Sequence, residues 1–178
     1  MRIILRNTSR STSSGRYSRQ SMISRRRQSS EVPTSVDPIR SKIMRAVGRV
    51  DTKPEMVVRR MLHQLGFRFR LHRKELPGTP DIVLPKYRTA IFVHGCFWHR
   101  HRNCRKATIP KTRVAFWANK FEQNVERDRR TVRSLRQEGW SVLIVWECET
   151  DRPDRLGARI VKHLDQQLRL ARDCGDRI

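Results

Sequence analysis

The sequence predicts a single α/β domain built on a mixed sheet with helices on both faces. Three observations lead there. Apolar residues recur at helical spacing in two early and two late segments. Three short strand-like runs sit together between them. A near-continuous apolar run, Trp140–Trp146, separates the late helices. The implied order is α-α-β-β-β-α-β-α, with no internal repeat.

Each element has its own warrant. Ile39, Ile43, Met44 and Val47 share a helical face, and Gly48 follows. Thr52-Lys53-Pro54-Glu55 is a capping-box pattern ahead of Val57, Met61, Leu62 and Leu65, and Gly66 ends that helix. Strands are expected at Phe67–His72, Asp81–Leu84 and Thr89–His94. Turn chemistry separates them at Leu76-Pro77-Gly78-Thr79-Pro80 and at Pro85-Lys86-Tyr87. A long helix should run from about Thr112 to Glu138. Its apolar stripe would be Val114, Trp117, Phe121, Val125, Val132 and Leu135, with Gly139 as the stop. Trp140–Trp146 has the signature of a strand buried on both faces. Leu156, Ile160, Val161, Leu164 and Leu168 make a final amphipathic helix. The chain therefore divides into an extension (1–36), a domain (37–150) and a C-terminal amphipathic helix with its tail (151–178).

Charge speaks about partners rather than fold. Forty Lys and Arg against 17 Asp and Glu give +23 over 178 residues. Polyphosphate is the commonest partner of such a chain, and its binding should weaken steeply with salt. A merely solvated surface with a basic tail is less favoured. Residues 1–36 carry eight Arg and one Glu, so +16 remains on the rest. Those 36 residues are rich in Ser and Arg and lack apolar periodicity, and they are expected to be disordered. A transit peptide, a nucleic-acid-binding arm, or an upstream start with Met22 as the true one all fit. No apolar run approaches the roughly 20 residues needed to span a membrane. A soluble, intracellular protein is expected.

The densest chemistry lies in Val93–Cys104. Cys96, His101 and Cys104 are spaced as metal ligands, and Cys148, after the buried run, can complete a tetrahedron. Three thiols and an imidazole suit structural zinc. Cys174 is the rival fourth ligand, and small buried cysteines without metal are the plainer alternative. Pro80-Asp81 leads into one strand, and Val93-His94 ends the next. A carboxylate so placed could hold a hard cation such as magnesium, although Asp in a Pro-rich turn is usually turn chemistry. The capping box already accounts for Glu55. His99 has no evident structural task and could serve as general base toward a water. Phe97 and Trp98 are adjacent, so exposing both requires a loop rather than a strand.

Several ordered blocks carry a resemblance. These are Leu76-Pro77-Gly78-Thr79-Pro80-Asp81, Ile91 through His99, Asn124 through Arg130 and Val142 through Cys148, with Arg40 through Ala46 ahead of them. They resemble the signature blocks of the very short patch repair (Vsr) DNA mismatch endonucleases. The match runs from about Asp37 to Cys148. It implies a restriction-endonuclease-like fold and a strand-specific nick on the 5′ side of the thymine in a T:G mismatch. Such mismatches arise from deamination of 5-methylcytosine.

By the same resemblance Asp81 would be the principal magnesium ligand, helped by the backbone carbonyl of Val93. His99 would be the general base, and Glu55 and His94 would support the metal-water shell or the phosphate. Cys96, His101, Cys104 and Cys148 would hold structural zinc. Phe97, Trp98 and Trp117 would enter the base stack, where a mismatch lowers the cost of unstacking. Without the resemblance, Trp117 reads as core. Asp128 would orient a catalytic His. The Glu-x-Lys usual in this fold is replaced by Ile91-Phe92-Val93-His94. The implied partner is duplex DNA with a T:G mismatch. The implied state is a monomer in a bacterial-type cytoplasm, at the nucleoid. The rival classes are a non-catalytic zinc-containing DNA-binding module and a structural nucleoprotein.

Overall fold

The computed structural model describes residues 50–175, with side chains through residue 173. The amphipathic segment expected at Ile39–Val47, the 1–36 extension and the Cys174 side chain lie outside the described residues.

Helix α1 spans Lys53–Gln64. Thr52 stands at its N-cap in an extended conformation, and the Thr52 N–H donates to Glu55 Oε2 at 3.4 Å. Gly66, at φ +80°, ends the helix, and Phe67 N–H returns to the Leu62 carbonyl at 2.9 Å. This closure leaves a residue in left-handed conformation, which glycine adopts without penalty.

Strands β1 (Arg70–Leu71), β2 (Ile82–Leu84) and β3 (Thr89–His94) follow as an antiparallel meander. The expected strand at Phe67–His72 is much shorter. Phe67 and Phe69 instead pack on the core, Phe67 edge-on to Tyr87 at 5.5 Å. His72 has φ +44°, which takes the chain out of the sheet.

Helix α2 spans Val114–Gln137 and ends at Gly139, where Trp140 N–H reaches the Leu135 carbonyl at 2.9 Å. Strand β4 (Ser141–Trp146) then pairs parallel to β3, with His94 opposite Trp146. Helix α3 (Pro153–Gly175) closes the described chain.

The sheet order is β1-β2-β3-β4. Alternation along β3 sorts its side chains between two faces. Ile91 joins Val58, Leu62, Ile82, Val145, Ile160 and their neighbours beneath α1 and α3. Ala90 and Phe92 pack with Leu135 under α2. β4 is an edge strand among the described residues; Leu143 and Val145 are buried and its other four residues only partly so. That corrects the expectation of burial on both faces. The stripe of α2 is also shorter than its pattern. Phe121 and Leu135 are buried, but Val114, the first residue of α2, is 54% exposed.

Candidate active site

Three chain segments converge at one end of the sheet. β2 begins there, while β3 and β4 end there. The carboxyl ends of strands are where open α/β sheets place their ligands. Asp81 precedes β2, and its Oδ2 accepts the Val93 N–H at 2.7 Å. In an extended strand the N–H and C=O of one residue leave the same edge, so the Val93 carbonyl also faces Asp81. Burial raises the Asp81 carboxyl above its ordinary range, and the nearby Glu55 charge raises it further. A cation against Asp81 would relieve both effects. Its oxygen donors suit magnesium.

His94 follows Val93 and, by alternation, lies on the α2 face. There it stacks on His99, with ring centroids 3.8 Å apart and planes 13° from parallel. Burial first, and the His99 charge second, push the His94 imidazole down to about 3, so it is neutral in the folded protein. His99 Nδ1 lies 2.5 Å from Asp128 Oδ2. Burial works to raise the Asp128 carboxyl. The bond from His99 and the charges of His99 and Arg127 outweigh it, and the group lies below its ordinary value. With Nδ1–H held by a carboxylate, His99 turns Nε2 outward as an acceptor.

Asn124 stands one helical turn before Asp128 and is buried. Its Nδ2 donates to the Trp98 carbonyl at 3.1 Å. One face of α2 thus fixes both the backbone and the imidazole of the 95–100 turn. Asn124 was not singled out from sequence alone; its i,i+4 relation to Asp128 is the signal that could have found it.

Beside this centre, Cys96, His101, Cys104 and Cys148 bring their ligand atoms within 4.8 Å of one another. His101 Nδ1 lies 3.6 Å from Cys96 Sγ and 3.3 Å from Cys148 Sγ. Zinc–sulfur bonds of about 2.3 Å set tetrahedral edges of about 3.8 Å, so the donor set fits zinc. Burial pushes the Cys96 thiol up to about 12 and raises Cys148, whereas the Lys106 backbone N–H lowers Cys104. The His101 ring stacks on Trp146 at 4.2 Å, and the other neighbour of that indole is His94 at 5.5 Å. Trp146 therefore braces the thiol cluster and the histidine pair together. Only the β3–β4 pairing reveals this.

Phe97 and Trp98 occupy the turn, as exposure of both would require, and are half-buried. They cluster with Trp117 and Phe121 at centroid distances of 5.1–5.8 Å. Trp117 is half-buried, and Phe116 beside it is 49% exposed. Arginines flank this aromatic ridge at the start of α2, Arg113 over Phe116 at 4.4 Å and Arg100 over Phe121 at 4.6 Å. Glu55, 2% exposed, accepts from Arg59 and lies 3.3 Å from His72 Nε2. A groove of about 1180 Å³ runs between α1 and α3 past Val57, Met61, Leu65 and Val161, and none of the residues above lines it.

Fold and site define a class: a basic, mixed α/β protein with an acid–imidazole centre at its strand ends, braced by a thiol–imidazole cluster. Comparison with known proteins narrows it. The family model for DNA mismatch endonuclease Vsr matches residues 35–106. The type II nicking enzyme V.XorIIP of Xanthomonas oryzae pv. oryzae is 50% identical over 126 residues, 71% of this chain and 92% of that protein. The DNA mismatch endonuclease Vsr of Escherichia coli K12 is 50% identical over 109 residues, 61% of this chain and 69% of that protein. The catalytic domain of the homing endonuclease I-Bth0305I aligns over 65% of this chain and 97% of its own, at TM-score 0.48 and 22% identity. The chain belongs to the Vsr DNA mismatch endonuclease family.

Proposed function

We propose that this protein is a magnesium-dependent endonuclease of restriction-endonuclease-like fold that nicks duplex DNA. The nick falls on the 5′ side of the thymine in a T:G mismatch and opens a repair patch. The observation that carries the reading is the His99–Asp128 contact, a base with its orienting carboxylate, at the strand end where Asp81 accepts the Val93 N–H and the next residue, His94, stacks on His99. The relatives, a type II nicking enzyme and a DNA mismatch endonuclease, support the class of reaction.

The chemistry divides among the residues. Asp81 and the Val93 carbonyl would hold magnesium, which when bound polarises the scissile phosphate as a Lewis acid. His99 Nε2 takes the proton of the attacking water while Asp128 holds the ring in the required tautomer. His94 is neutral, so it can hydrogen-bond to the phosphate without repelling His99 as that ring becomes protonated. Cys96, His101, Cys104 and Cys148 would hold zinc as a structural anchor, since four protein ligands leave no open position. Phe97, Trp98 and Trp117 would wedge into the stack beside the mismatch, regaining roughly 1–3 kcal/mol per stacked base. No described helix is long and apolar enough to cross a membrane. We further propose action as a monomer at the bacterial nucleoid.

The test compares T:G and T:A duplexes of one sequence with magnesium present. Nicking of the thymine strand of T:G only, abolished in Asp81→Ala while binding survives, is the expected result. Equal cutting of the two duplexes would refute the mismatch assignment. Binding without any cutting would favour a non-catalytic DNA-binding module.

A further inference from the structure

A second polar cluster lies behind Asp81. Ligand atoms of Asp51, Glu55 and His72 come within 4.8 Å of one another, a spacing that would suit a cation. The cation there is the guanidinium of Arg59. Its Nη1 donates to Asp51 Oδ1 at 2.6 Å, and its Nη2 donates to Glu55 Oε1 and faces His72 Nε2 at 2.7 Å. Arginine keeps its protons, so His72 Nε2 must be the acceptor and that ring carries its proton on Nδ1. The 3.3 Å approach of His72 to Glu55 is then between two acceptors, held together only by the Arg59 donor they share.

Geometry makes Arg59 hard to replace. It follows Glu55 by four residues, on the same face of α1. Glu55 is almost wholly buried, and a buried carboxylate needs a fixed partner. Arg59 Nε is itself buried without a partner, so the side chain is held there by its Nη contacts. The cluster reaches Asp81 through the main chain of His72, whose backbone N–H donates to the Asp81 backbone carbonyl at 3.4 Å.

We propose that Arg59 is a positioning residue of the catalytic centre, holding the Glu55 carboxyl in place near Asp81 and setting the tautomer of His72. The inference rests on the magnesium-nuclease reading above.

The test titrates the full chain with Mn²⁺ by calorimetry, as wild type, Asp81→Ala, Arg59→Gln and Arg59→Lys. Nitrogen-15 NMR reads the His72 ring in the wild type. Arg59→Gln should weaken Mn²⁺ binding by roughly tenfold or more, the usual effect of losing a group that orients a ligand. Arg59→Lys, which keeps the charge but not the fork, should fall between. Affinity for a T:G duplex without metal should stay within about twofold. Nε2 of His72 should be unprotonated in the wild type. A protonated Nε2, or Mn²⁺ affinity unchanged in both Arg59 variants while Asp81→Ala loses it, overturns the role of Arg59 alone. Equal Mn²⁺ binding by Asp81→Ala and wild type removes the nuclease reading and this role with it. If Arg59→Gln fails to fold, Arg59→Lys and the wild-type spectrum decide.

Discussion

Replacing Asp128 by Ala tests whether the histidine of the site works as an oriented base. The contact removed is His99 Nδ1 to Asp128 Oδ2, 2.5 Å long, with both side chains less than one-fifth exposed. A charge-assisted hydrogen bond in such a setting is worth about 1.5–3 kcal/mol. If it acts on the transition state through His99, the nicking rate should drop by roughly 10- to 150-fold. Loss of the base itself, in His99→Ala, should cost more, on the order of 10²–10⁴. The turn should stay in place, because Asn124 holds the Trp98 carbonyl independently of Asp128. The assay is single-turnover nicking of an end-labelled T:G duplex at saturating magnesium, with binding followed by gel shift. The double variant should be no slower than His99→Ala by more than about threefold, since Asp128 has nothing to orient once the imidazole is gone. A double variant slowed by the product of the two single effects refutes the orienting role. So does an Asp128→Ala enzyme within about threefold of wild type.

Further expectations concern metal, recognition and pH. The purified protein should carry about one zinc, and Cys104→Ser should lose it together with several degrees of melting temperature; a zinc-free wild type with the same melting temperature would remove this assignment. Phe97→Ala and Trp117→Ala should lower affinity for T:G duplexes by about 1–3 kcal/mol and for T:A duplexes by much less, and equal losses on both would return these rings to a packing role. Burial, aided by the Arg159 charge, lowers the His163 imidazole, which bonds Ser141 Oγ at 3.0 Å. A depressed folded value means stability that is complete above the unfolded value near 6.5 and declines as pH falls below it. Urea unfolding at pH 7 and pH 5 should therefore show a smaller acid loss in His163→Gln than in wild type; identical losses would exclude this contribution.

Much of the site was legible in the chain because its residues come in short, ordered blocks. Cys96, His101 and Cys104 lie on one turn, and their chemistry is visible without a fold. Cys148 could be joined to them because it follows an apolar run that had to be a strand. Asp128 was harder to read, since a carboxylate in a charged helix resembles any solvated residue until His99 is found against it. Arg59, Asn124 and Trp146 were not legible. An arginine beside another arginine, an asparagine in a polar helix and a tryptophan ending a strand carry no local mark of function.

Local chemistry by itself determined the helix stops at Gly66 and Gly139, the extent of β3, the thiol–imidazole cluster and the basic charge. Each depends on neighbours a few residues apart, and a single chain displays such relations directly. The tertiary structure alone decided which faces those residues share. Alternation places His94 on the α2 side, parallel pairing sets Trp146 beside it, and one turn of α2 reaches back to hold the loop. The strand at Phe67–His72 shrank, and Val114 came to the surface, for the same reason. Burial depends on what packs opposite, and that is a property of the assembled sheet and helices.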